Sequence, residues 1–318
     1  MSTSRSVDRL SKVIRYFFTR LAGAIPTLLI IITATFFLMR AAPGGPFDQE
    51  QTLSPEIAAN LQSAYGLDQP IWTQYERYLK SLLHGDFGPS FKYKDFTVTE
   101  LIGQGFPVTL QLGVIAMVLA LGLGIPLGTF AALHHNSAAD YATMSLAVVG
   151  IAIPSFVVLP FLGLLFGVYL HWLPVAGWEA GSIRHLALPV IALMLPPLAY
   201  IARLTRGSMI EVLRSHFIRT AIAKGLPLHT VILRHALRPA LIPVASYLVP
   251  AVASIMTGSL VVESIAGLPG IGRYLVQGAL NRDYTLVLGM VIIYSTLLIG
   301  MGLLVDLLYA WLDPRVRH

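Results

Sequence analysis

The chain has no cysteine among its 318 residues. That excludes disulfides and thiol-based metal or redox chemistry. Charge is scarce as well: 12% of residues are charged, against about 25% in a typical soluble domain. Phosphate-binding machinery is missing, because no G-x-x-x-x-G-K-[ST] run and no Gly-Lys pair occurs anywhere. The nine histidines form no ligand constellation. His134 and His135 are adjacent at a turn, and His216, His229 and His235 lie in a polar loop. No nucleophile–base–orienter set and no paired acids at one depth are found. These absences disfavour an intramembrane enzyme, and they imply that any ATP chemistry is borrowed from another chain.

What remains is apolar: 55% of residues are hydrophobic, which reads as an integral membrane protein. The net charge of +6 in such a chain reflects basic residues held on the cytoplasmic side rather than nucleic-acid binding. Uncharged runs long enough to cross a bilayer are Leu21–Met39, Pro107–Leu133, Tyr141–Leu170, Leu186–Ala202, Ala240–Val262 and Tyr284–Val305. The third is long enough to tilt or to include re-entrant backbone. Tyr309 and Trp311 sit as interfacial anchors after the sixth. The first run spans 19 residues, longer than the roughly 7–15 of a signal h-region, so it reads as an uncleaved span.

Six spans divide the basic residues unequally. Residues 1–20, 134–140, 203–239 and 312–318 carry 14 of the 22 Lys and Arg. That side is expected to be cytoplasmic, with both termini on it. The expected layout is a cytoplasmic N-terminus (1–20), a first span (21–39), an extracytoplasmic helical insertion (40–106), a five-helix core (107–311) and a cytoplasmic C-terminus (312–318). The spans contain no Asp, Glu, Lys or Arg in their interiors. Ion-coupled transporters usually keep an intramembrane ionisable residue. Glu263 and Asp306 lie at span ends. For Asp306 a structural role beside basic residues is expected, and for Glu263 a packing and turn role, with a gate or a docking contact as the alternative.

The insertion is too long for a mere connection. Ser54-Pro55-Glu56 predicts one helix start. Pro70 predicts a second, whose Ile71, Trp72, Tyr75, Tyr78, Leu79, Leu82 and Leu83 share a face and which Gly85 ends. This segment reads either as a packing subdomain or as a docking site for an extracytoplasmic partner.

The one long basic loop, 203–239, carries the sharpest pattern. Ser208–Ala223 is expected to continue the fourth span as a helix, with Gly225 breaking it, Pro227 opening a short helix and Pro239 closing that helix. Ala221, Ala223 and Gly225 are small and cluster at the bend, where another backbone could approach. Arg206, Arg214, Arg219, Lys224, Arg234 and Arg238 flank them. Contact with anionic lipid explains the charge but not the helix–bend–helix punctuation. Prolines 154, 160, 189, 196, 197, 243 and 250 predict kinked spans. Met256, Thr257 and Ser259 are candidates to line a pathway; the same residues equally suit helix–helix contacts.

The run IRTAIAKGL followed by RHALRPALIP resembles the coupling loop of permease subunits in ATP-driven importers of the dipeptide, oligopeptide and nickel family. The broad family has Glu-Ala-Ala, three residues, then Gly. Here Arg219, Thr220, Ala221 and Gly225 occupy those positions, so the acid is absent, as in the peptide-importer branch. The downstream Ile-x-Leu-Pro element is not matched literally. The resemblance covers nearly the whole chain: Gly85 to Ser90, Ile153-Pro154-Ser155-Phe156, Leu173-Pro174 with Gly177, Ala202 to Arg206, Glu263 through Pro269-Gly270-Ile271-Gly272, Asn281 to Tyr284, and Asp313-Pro314-Arg315. GDFGPSFKYKD and SMIEVL lean toward the oligopeptide branch.

The resemblance implies an all-α, six-span fold of the type I importer class. It also implies partners: a second, homologous permease subunit, two cytoplasmic ATPase subunits that bind ATP and Mg, and an extracytoplasmic protein that delivers peptide. The coupling loop (Phe217, Arg219, Thr220, Ala221, Ala223, Lys224, Gly225, Leu226) would sit in a groove of one ATPase. Its displacement would switch a pathway to which Met256, Thr257, Ser259 and Glu263 contribute. The alternatives are dipeptide or nickel transport within the family, and an ion-coupled secondary transporter outside it.

Overall fold

The computed structural model describes residues 3–41, 63, 66–93 and 95–312, and they are helical throughout their main elements. The first helix, α1, is Thr3–Ala41. A short α2, Ile71–Leu83, precedes α3, Val98–Leu133. Next come α4, Ala138–Ala152, and α5, Ser155–Leu162, which runs on as a π-helical turn at Gly163–Tyr169. The central helix α6 is Ile183–Leu213, and α7, His216–Ala223, follows it. A return segment comprises α8 (Leu228–Thr230), a π-helical turn (Val231–Ala236) and α9 (Leu237–Ala240). Helix α10 is Ile242–Ala266, α11 is Ile271–Leu280 and α12 is Tyr284–Leu312. Among the described residues five helices are long and apolar enough to cross a membrane, and the α4–α5 pair, bent by 104°, forms a broken span or a re-entrant loop. The bend falls at Ile153-Pro154, where proline removes a backbone donor and biases the preceding residue away from helix. Five of the six expected runs thus coincide with long apolar helices, and the third coincides with the bent pair.

Helix α6 lies at the centre, with α3 along its length and α4, α5 and α10 around it. The α3–α6 contact is built on a repeat of small residues every fourth position: Ala116, Ala120, Gly124, Gly128 and Ala132, all buried. Spacing of four keeps them on one helix face. A Cβ at Gly124 would come within 2.9 Å of the Leu198 carbonyl, and one at Gly128 would overlap the Ala202 carbonyl. Lipid gives little hydrophobic drive for helices to associate, so close backbone approach supplies the contact. Three prolines (Pro189, Pro196, Pro197) lie inside α6 without ending it.

The aromatic face of α2 packs on α1. Phe36 is 1% exposed and meets Tyr75 and Tyr78 at ring distances of 5.2 and 5.9 Å. Phe37 meets Trp72 at 5.2 Å, and Arg40 lies over both Phe36 and Tyr284. Burial among these rings pushes the Tyr78 hydroxyl above the ordinary tyrosine range. Gly85, with φ +73°, follows the end of α2 as expected. The helix start expected at Ser54-Pro55-Glu56 lies outside the described residues, as does the Asp306 side chain.

One expected element needs correction. Ser208–Ala223 is not a single helix. Helix α6 stops at Leu213, the chain turns through Arg214 and Ser215, and α7 restarts at His216. The Ser215 hydroxyl donates to the Val212 carbonyl at 2.6 Å. Such a local bond competes with helix continuation. The turn also lets α7 fold back, burying Ile218 against Met209. Pro239 lies within α9, and the chain turns at Leu241.

Candidate functional site

The loop between α6 and α10 forms a compact helical knob. Ile218, Ala221, Val231, Ala236 and Ala240 pack with Met209 of α6 and Ala132 of α3. This roots the knob in the α3–α6 pair. Ala221 is only 7% exposed, so it faces inward rather than forming an exposed tip. The outer surface is apolar: Phe217 is 49% and Ile222 54% exposed, with Leu226, Leu228 and Leu233 also open. Arg219, Thr220, Ala223 and Lys224 are exposed beside them. The sequence reading placed the weight on small residues, whereas the surface carries large apolar ones.

Gly225 has φ +76° and ends α7. Its N–H donates to Ile222 O at 2.9 Å and that of Leu226 donates to Ala221 O at 3.3 Å. These bonds define a Schellman cap, for which glycine avoids a Cβ penalty. A Cβ there would meet nothing within 4 Å, so conformation and not space requires the glycine. Pro227 then opens the return segment.

The four pathway candidates on α10 do not share a face. Thr257 is exposed, in line with Ser246, Pro250 and Ser254. Met256, Ser259 and Glu263 are buried within the chain. Glu263 holds the turn after α10: its Oε2 accepts the Gly272 N–H at 2.8 Å. Thr109 of α3 accepts the Ile271 N–H at 3.0 Å beside it. A Cβ at Gly272 would lie 2.7 Å from that carboxylate and 2.8 Å from Leu260 Cα, so glycine permits the approach. The Glu263 Oε1 atom has no hydrogen-bond partner among the described residues.

The remaining distinctive motifs meet as junctions. Asp283 is fully buried and accepts from Ser90 Oγ at 2.5 Å, Phe91 N–H at 3.0 Å and Leu286 N–H at 3.1 Å. It therefore caps α12 and pins the segment after Gly85-Asp86-Phe87-Gly88 to it. Gly177, after Leu173-Pro174, donates its N–H to Ala266 O at 2.8 Å. Pro154-Ser155 forms the α4–α5 bend, and a Cβ on Gly258 of α10 would press on the side-chain ends of Leu193 at 2.9 Å and Ser155 at 3.1 Å. Arg206 chelates Asp140 of α4, its Nε and Nη2 donating at 2.5 and 2.7 Å. Sequence reasoning missed this last pair. Its signal was one acid, Asp140, standing between two long apolar runs. Among the described residues no group of three or more His, Cys, Asp or Glu is placed to hold a metal.

The chain, whose knob exposes large apolar side chains among basic ones, matches known proteins along its length. Residues 124–318 match the family described as binding-protein-dependent transport system inner membrane component. Residues 13–113 match that family's N-terminal membrane component model. The oligopeptide transport system permease protein OppB of Escherichia coli is 55% identical over 306 residues, covering 96% of this chain and 100% of that protein. OppB of Haemophilus influenzae is 52% identical over the same shares. The dipeptide transport system permease protein DppB of Bacillus subtilis is 46% identical over 303 residues, 95% of this chain and 98% of that one.

The chain belongs to this family. It is a multi-pass membrane permease subunit with the all-helical type I importer fold. As an inner membrane component of this kind it keeps α2 and its contacts on α1 inside the N-terminal family region. The Glu263–Gly272 and Arg206–Asp140 contacts fall in the C-terminal one, and Asp283, bonded to Ser90 and Phe91, joins the two.

Proposed function

We propose that the chain is one half of the translocation pathway of an ATP-driven oligopeptide importer. The observation that carries this reading is the knob. It presents Phe217, Ile222, Leu226 and Leu228 to the outside among Arg219 and Lys224, while the sequence has no phosphate-binding loop. An exposed apolar patch on a rigid mount is the mark of a protein interface. Near-full-length similarity to OppB proteins favours oligopeptides over the dipeptide or nickel alternatives.

In this reading the knob and both termini are cytoplasmic, which agrees with the bias of Lys and Arg. A second, homologous permease subunit completes the pathway. Two ATPase subunits bind ATP and Mg, and this chain binds no cofactor of its own. An extracytoplasmic peptide-binding protein delivers substrate to the opposite end, where α2 and the 85–97 segment lie. ATP-driven closure of the ATPases displaces the knob, and α6 and α10, joined to its two ends, inherit the motion. Peptide crosses without chemistry, and Thr257 is the α10 candidate best placed to meet it.

The test is uptake of labelled peptide by the purified assembly in proteoliposomes. Uptake is expected to require ATP and the ATPase subunits and to ignore an imposed proton or sodium gradient. Gradient-driven uptake by this chain without ATPase would favour a secondary transporter and sink the proposal.

A further inference from the structure

We propose that Asp140 and Arg206 are positioning residues that lock α4 to α6, so that displacement of the knob reaches the bent span. The inference rests on the reading of the knob as the place where the ATPases push. The Asp140 side chain is 1% exposed. Both its oxygens are engaged by Arg206, and Oδ2 also accepts the Asn136 N–H at 2.9 Å. His135 Nδ1 lies 3.2 Å from Arg206 Nη2, closing the cluster from the α3–α4 turn. A bidentate guanidinium–carboxylate pair fixes orientation as well as distance. A single apolar contact does neither.

The placement matters more than the bond. Asp140 sits in the first turn of α4, where Ser137 caps the helix. Arg206 sits two turns from the end of α6, just before the chain enters the knob. One turn further along, Met209 is in the buried cluster that roots α7. On the same stretch Gly128 of α3 is pressed against Ala202 and Thr205. The knob, the end of α6, the end of α3 and the start of α4 are therefore mutually fixed. The first weak point along the chain is the 104° break between α4 and α5, where Pro154 leaves the backbone ladder open. Motion that enters at the knob reaches the start of α4 through Arg206–Asp140, the polar joint beside the apolar packing of Gly150 on Leu195 and Ala199, and is released at that break.

The absence of native cysteine makes the test direct. The chain is assembled with its second permease subunit and cysteine-free ATPase subunits in proteoliposomes. Nitroxides are placed by Arg214→Cys with Leu146→Cys, and separately by Arg214→Cys with Ile25→Cys; Arg214, Leu146 and Ile25 are exposed. Distances are measured by pulsed electron paramagnetic resonance without nucleotide and with ATP. The 214–25 distance is expected to change with ATP by about 5 Å, the scale of one-turn shifts in switching proteins, while the 214–146 distance holds. In Asp140→Asn the 214–146 distance becomes nucleotide-dependent. Peptide imported per ATP hydrolysed then falls about tenfold, a coupling loss within the usual range between sites. Arg206→Lys, which keeps the charge and loses the bidentate fork, falls between the two.

A 214–146 distance that changes in the unsubstituted chain as much as 214–25 overturns the proposal. So does Asp140→Asn with undiminished import per ATP. A 214–25 distance that ignores ATP overturns the reading of the knob itself, and is recognised because both distances then stand still. Should Asp140→Asn fail to assemble, the two distances in the unsubstituted chain decide alone.

Discussion

At the scale of single residues, glycines and buried acids determine where helices touch. Gly128 is pressed so tightly on α6 that any side chain meets the Ala202 carbonyl and Thr205. Gly128→Leu is expected to destabilise the chain by more than the usual 1–3 kcal/mol of overpacking, because backbone rather than a flexible side chain is in the way. Gly122→Ala, where a Cβ meets nothing within 4 Å, should slightly raise the melting temperature in detergent, because glycine inside a helix costs about 0.5–1 kcal/mol relative to alanine. Asp283→Ala removes the cap of α12 and leaves the N–H of Phe91 and the hydroxyl of Ser90 buried without their acceptor. The expected cost is about 2–4 kcal/mol. Limited proteolysis should then show faster cleavage within residues 85–97, while cleavage at the knob keeps its rate.

At the scale of elements, the sequence was most informative where a single period governs the pattern. Long uncharged runs located the five long apolar helices and the bent α4–α5 pair, because bilayer thickness dictates length whatever the packing. The turn at Arg214-Ser215 was not legible. It depends on burying Ile218 and Ala221 against Met209, a tertiary gain that overrides a locally helical sequence. The same fold-back explains why Ala221, small and flanked by charge, turned out to face inward. Gly225 was legible as a break, since its left-handed backbone has a local cause. Gly225→Ala should lower stability by about 1 kcal/mol through backbone strain and retain most ATP-dependent uptake. Gly225→Trp should abolish uptake while the chain still inserts, because an indole is added to an exposed docking surface. Equal uptake by the two variants would show that the bend does not enter the interface.

At the scale of the whole molecule, motifs far apart in sequence converge as joints. Asp283 joins the insertion to α12, Glu263 closes the α10–α11 turn, Gly177 meets the end of α10, and Arg206 meets Asp140. None of these pairings was readable from spacing, because each depends on how helices cross. The joints stiffen a bundle that, among the described residues, is sharply bent between α4 and α5, and they leave the knob with its apolar side chains open to a partner. Neighbouring single cysteines test whether this outer surface seats on a separate ATPase. Ile222→Cys and Ala221→Cys are introduced in turn, and the assembled transporter is treated in membranes with a short bifunctional thiol–amine cross-linker. Ile222→Cys, on the open face, is predicted to cross-link to an ATPase subunit, and Ala221→Cys, buried against α6, is predicted not to. Cross-linking at Ala221 with none at Ile222, or at neither position in a complex that transports peptide, would contradict the account.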